Sequence, residues 1–143
     1  MISFDVARLA FVTLNNLSMK FAKIIFYVAG VYGLIVLFPQ YFMEAKNGRD
    51  FPPPITHPEY YYGFIGVALA FQVLFLIIAR NPLQYRAAMI PSIIEKFSFG
   101  IAAIVLFLQN RLAMPLFATG LIDLIFGSLF IAGYFKTKPE SSN

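Results

Sequence analysis

Five polar side chains stand in stretches of sequence otherwise composed for hydrocarbon: Tyr32, Gln72, Glu95, Lys96 and Asp123. Glu95 and Lys96 are adjacent within "PSIIEKFSFG" (91–100), and Asp123 lies in "GLIDLIFGSLF" (120–130). Two acids and one base at similar depth could pass a proton, line an ion pathway, or neutralise one another. On a helix, adjacent residues project about 100° apart, so Glu95 and Lys96 cannot both face the same neighbour. Two arrangements follow. Glu95 faces inward while Lys96 snorkels or reaches toward Asp123, or Lys96 faces inward, held between Glu95 and Asp123. A second candidate is "THPEYYYGF" (56–64), where His57 and Glu59 could form an acid/base or ligand-binding pair under an aromatic lid. The same residues also suit a helix start: Thr56 or His57 as cap, Pro58 in the first turn, and Glu59 at the positive end.

Other chemistry is excluded by composition. The chain has no cysteine and only one histidine, which removes disulfides, thiolate chemistry, cysteine-ligated zinc, multi-histidine metal sites and bis-histidine haem. There is no glycine-rich phosphate loop, no HExxH and no nucleophile elbow. No metal and no cofactor is expected. The formal charge is +4, but the eleven basic residues form no long run and most flank apolar stretches. That placement fits membrane topology and not nucleic acid.

The elements that must position these residues are apolar. Of 143 residues, 59% are hydrophobic and 13% charged, against about a quarter charged in ordinary soluble chains. Four apolar stretches run over Ile24–Met43, Tyr60–Ala79, Ala87–Leu108 and Leu112–Phe135. Each holds about 20 residues, enough to cross roughly 30 Å of hydrocarbon. Backbone groups in lipid must be satisfied within their own segment, so the stretches should be helices. The fold class is therefore an all-α integral membrane four-helix bundle. The short connectors 80–86 and 109–111 predict two antiparallel hairpins, second with third and third with fourth. The longer connector 44–59 carries Pro52-Pro53-Pro54 and reads as stiff and extended.

Orientation follows from the basic residues. Arg8, Lys20, Lys23, Arg80, Arg86, Lys136 and Lys138 lie on one side, and Lys46, Arg49 and Arg111 on the other. The excess places both termini in the cytoplasm, with Tyr41 and Tyr60-Tyr61-Tyr62 at the outer interface and Tyr85 and Tyr134 at the inner. Residues 1–21 read as a cytoplasmic or interfacial segment, 22–136 as the four-helix domain and 137–143 as a tail. Counted from the cytoplasmic ends, Tyr32, Gln72, Glu95 and Lys96 fall about 10 to 14 Å in, and Asp123 about 18 Å. If Pro91 instead opens the third helix, Glu95 sits one turn deep and Lys96 reaches headgroups.

Four helices of this length, short turns and acids near "IIEKFSFG" and "GLIDLIFGSLF" make the chain resemble the DoxX/DoxD-like assemblage of small four-helix membrane proteins over roughly residues 22 to 136. The resemblance is one of size and layout. It implies a bacterial inner membrane and carries over no site residue. Three functions follow, in descending order of support. The first is a non-catalytic accessory or subunit of a membrane complex, forming a homo-oligomer or joining other membrane protein subunits in the lipid bilayer. The second is a small proton-coupled transporter or channel-like protein using Glu95, Lys96 and Asp123. The third is an enzyme acting on a lipid or quinone-like substrate, with Glu95/Asp123 or His57/Glu59 as acid/base groups.

Overall fold

The computed structural model describes residues 2–137, with side chains from Thr13 onward. Helix α1 spans Ile2–Leu37 and is followed by a 3-10 segment, Phe38–Phe42. A short α2 covers Glu44–Asp50, and α3 covers Pro58–Arg80. A 3-10 turn at Arg86–Ala88 leads into α4, Met89–Leu108, and α5 covers Met114–Lys136. No strand occurs among the described residues. Four helical segments are long and apolar enough to cross a membrane: Thr13–Phe42, Pro58–Arg80, Arg86–Leu108 and Met114–Lys136.

Local sequence sets these boundaries, and three differ from expectation. The first helix does not begin near residue 22, because residues 2–23 hold no glycine or proline to interrupt it. It changes character only at Pro39, which disfavours α geometry in the residue before it. The connector 44–59 is not extended throughout. Glu44 sits at the N-terminal end of α2, Arg49 in its last turn, and Lys46 pairs with Asp50 across one turn. Residues 51–57 then carry the three prolines outside any helix. Pro91 is the third residue of α4, where a missing N–H removes no intrahelical bond.

The end of α4 is a Schellman turn. Asn110 takes a left-handed φ of 56°, its N–H donates to Phe107 O at 2.9 Å, and Arg111 N–H donates to Leu106 O at 2.9 Å. That geometry consumes residues 109–113, so α5 starts at Met114 and not at Leu112.

Packing is uneven around the bundle. Helix α4 lies along α5, and α1 along α3 and against α5, while α3 and α4 meet only slightly. The core is aromatic. Phe26 of α1 stacks on Phe130 of α5 with centroids 4.0 Å apart, and Phe75 of α3 meets Phe130 edge-on at 5.0 Å. All three rings are fully buried. Two glycines bring the backbones together at the seams. A Cβ on Gly33 would collide with the Gln72 side chain, and one on Gly120 with the Ala103 Cβ.

Candidate functional site: a buried lysine between two carboxylates

The site lies on the α4–α5 seam. Lys96 is the eighth residue of α4: it follows Glu95 by one position, and the helix turn that points Lys96 into the bundle leaves Glu95 at its flank. Lys96 is only 5% exposed. Its Nζ donates to Asp123 Oδ1 at 3.0 Å and stands 3.4 Å from Glu95 Oε2. Of the two arrangements open from sequence, the structure has the second: Lys96 faces inward, between the acids. The side chains of Glu95 and Asp123 are 19% and 15% exposed, so the cluster is a nearly dry one. Lys96 does not extend to an interface, as it would if it were a boundary residue.

Small residues make room for this. Gly127, one turn along α5 from Asp123, presents its bare backbone to Phe97 and to the Lys96 Cβ, which a built Cβ would approach to 3.2 Å. On the other side the Lys96 ammonium lies 5.3 Å from the centre of the Phe75 ring. That distance is within cation–π range. Phe75 therefore joins the charge cluster to the aromatic core, a role that its place in an apolar run gave no means of finding. Glu95 Oε2 is buried and its contact with Lys96 lacks hydrogen-bond geometry, so this oxygen has no hydrogen-bond partner among the described residues.

The remaining polar residues divide between this cluster and other sites. Tyr32 of α1 packs its ring against Phe126 of α5, centroids 5.8 Å apart, three residues beyond Asp123. Gln72 is spent on the α1–α3 seam: its Nε2 donates to Ala68 O at 2.9 Å, and its Oε1 lies buried against Gly33. No hydrogen bond links Gln72 to Lys96 among the described residues.

His57 and Glu59 form a separate, exposed pair. Nδ1 of His57 lies 3.1 Å from Glu59 Oε1, with both side chains about two-thirds exposed. His57 occupies the N-cap position of α3, but its side chain makes no capping bond and engages Glu59 and the Tyr60 ring instead. Pro58 and Glu59 take the expected first-turn places. The tyrosines beside them do more than anchor. Tyr61 Oη donates to Gln40 O at 2.7 Å and accepts from Asn47 Nδ2 at 2.9 Å, while Tyr62 Oη donates to Glu44 at 2.7 Å. Asn47 also donates to Gln40 Oε1 at 2.7 Å. This network fastens α2 and the end of the first crossing to α3. The sequence reading missed it because it joins residues 21 and 14 positions apart with no periodic pattern.

Two open grooves lie away from the Glu95–Lys96–Asp123 cluster. One of about 420 Å³ is lined by Lys23, Ile24, Tyr27, Leu76, Ala79 and Arg80. Another of about 310 Å³ lies on α3 between Ala70 and Ile77. Searches against family models, curated proteins and solved structures find no match for this chain. An ammonium neutralised by two carboxylates in a dry seam can fix the register of two helices, and it can hold or release a proton within the bundle.

Proposed function

We propose that this chain is a non-catalytic accessory or subunit of a membrane complex, folded as a four-helix bundle in a bacterial inner membrane with both termini cytoplasmic. In this reading α3/α4 and α4/α5 are the two antiparallel hairpins, the second the more closely packed, and the Glu95–Lys96–Asp123 cluster fixes the register of the second. The supporting observation is that the deep charges face one another: Lys96 is buried with both carboxylates within 3.4 Å, and neither groove above includes any of the three. Ionisable groups that pair with one another in this way cost less in hydrocarbon than isolated charges. Large apolar side chains remain exposed on every crossing, among them Ile35, Val67, Ile94 and Ile125. They supply surface for lipid and for neighbouring subunits. The layout shared with DoxX-like proteins is in keeping with this reading and assigns no residue a role.

Blue-native electrophoresis after extraction in mild detergent, with crosslinking in the intact membrane, tests it. A discrete complex is expected. A bare monomer without crosslinked partners would overturn the subunit role. Orientation is tested separately by single cysteines at Thr56 and Gln84 in this cysteine-free chain, which should label from opposite sides of the membrane.

A second reading is favoured by the same cluster with Tyr32 alongside: a small proton-coupled carrier in which Glu95 and Asp123 exchange Lys96. Reconstituted in liposomes, such a carrier would lose proton flux on Asp123→Asn, and flux equal to that of the unaltered chain refutes it.

A further inference from the structure

We infer that the groove between α1 and α3 is a binding site for an anionic phospholipid, with Lys23 and Arg80 holding the headgroup phosphate and the first part of an acyl chain lying on Ile24, Leu76 and Ala79. The inference rests on the membrane reading but not on the subunit role.

Three observations carry it. First, the groove joins two cations to an otherwise apolar lining, with Lys23 from α1 and Arg80 from the last turn of α3. Second, both cations are unspent. Arg86 at the same end stacks on Tyr134 at 3.6 Å and Lys136 lies over Phe21 at 4.2 Å, whereas neither Lys23 nor Arg80 has an ion-pair or ring partner among the described residues. Both are exposed. Third, the groove is graded along its length. Tyr27 stands one turn beyond Lys23 on α1, and Leu76 one turn before Arg80 on α3. The backbone positions of the two cations therefore mark one level, and those of Tyr27 and Leu76 the next, about 6 Å deeper. A diacyl phospholipid has the same order: phosphate, then ester oxygens able to accept a hydrogen bond, then hydrocarbon.

Charge complementarity selects the occupant. Two unpaired cations, one within α1 and one in the last turn of α3, beside an apolar channel, match a lipid phosphate. A soluble anion would use the cations alone and leave the apolar walls of a 420 Å³ groove without a partner. A second apolar helix would use the walls and leave Lys23 and Arg80 unmatched.

The test uses the full chain in mild detergent, titrated with dioleoyl phosphatidylglycerol or dioleoyl phosphatidylcholine and read by native mass spectrometry. One phosphatidylglycerol should be retained in preference to phosphatidylcholine. The surface double variant K23Q/R80Q should lower that preference on the order of tenfold, while K46Q, which removes a cation from the α2 connector, should leave it unchanged. Equal losses in K23Q/R80Q and K46Q would reduce the effect to net charge and overturn the site, as would no preference in the unaltered chain. Displacement of the lipid by millimolar inorganic phosphate would mark a phosphate site and equally overturn it. Release of the chain from membranes by alkaline carbonate would instead strike at the membrane reading itself.

Discussion

Replacing Lys96 with methionine keeps a long flexible side chain and removes only the cation that holds α4 to α5. With Nζ 3.0 Å from Asp123 and 3.4 Å from Glu95, the gross attractions are about 5.5 and 4.9 kcal/mol at an effective dielectric of about 20. Most of that attraction is offset by the desolvation of the three groups, so the cluster as a whole is worth little against an apolar seam. The single substitution is another matter. It leaves two largely buried carboxylates with no counter-charge, and the expected loss is about 3 to 5 kcal/mol. Asp123→Leu should cost less, about 2 to 3 kcal/mol, because Glu95 still stands beside the ammonium. The triple variant E95L/K96M/D123L should return to within about 1 kcal/mol of the unaltered chain. Reversible unfolding in mixed micelles, followed by far-ultraviolet circular dichroism, measures all four proteins. If the triple variant lost as much as Lys96→Met, removing the two carboxylates would have brought no recovery, and the reasoning that the stranded carboxylates cause the loss would fail.

Four further outcomes are expected in the same assay. Gly120→Ala should destabilise by about 1 to 3 kcal/mol, because the added methyl meets the Ala103 Cβ. Gly63→Ala, where a Cβ meets nothing within 4 Å, should change stability by no more than about 1 kcal/mol, in the favourable direction. Tyr61→Phe removes the hydroxyl that bridges Gln40 and Asn47 and should cost about 1 to 2 kcal/mol, with faster proteolysis between residues 43 and 57. Gln72→Met exchanges an amide whose buried oxygen lacks a partner for a flexible apolar chain, so stability should be unchanged or higher by about 1 kcal/mol; a loss above about 2 kcal/mol would mean that the oxygen has a partner in the membrane.

The four apolar helices were legible because hydrocarbon imposes a length and a composition that a single chain displays directly. Boundaries were less so. The extension of α1 to Ile2 depends on uninterrupted helix-compatible residues, not on apolarity, and the start of α5 depends on a turn that Asn110 completes through backbone bonds. In the site, residue types and depth singled out Glu95, Lys96 and Asp123 together, since charges in apolar runs are conspicuous. Which of Glu95 and Lys96 faced inward was not legible, because it turns on the rotation of α4 about its axis. The structure settles that rotation by the fit of Gly100 of α4 against Leu124 of α5 and of Gly127 of α5 against Phe97 and Lys96 of α4. Gln72 stood at matching depth, yet depth says nothing about azimuth, and its amide faces Gly33 on another seam. The Gln40–Asn47–Tyr61 network was beyond reach for a related reason: ordinary polar residues near a membrane surface give no sign of which of them will meet.

The Schellman turn after α4 has a consequence for how the protein is made. Lys96 and Asp123 are 27 positions apart in the chain, and only the five residues of that turn separate their helices. A ribosome therefore delivers the acid soon after the base, and the tight reversal swings it back alongside. The third crossing, taken alone, carries Lys96 with only Glu95 at its flank; delivered with the fourth, it also brings the carboxylate that accepts the ammonium's hydrogen bond. Membrane entry of this half of the protein is in that sense a single event involving two helices, with the turn acting as its hinge.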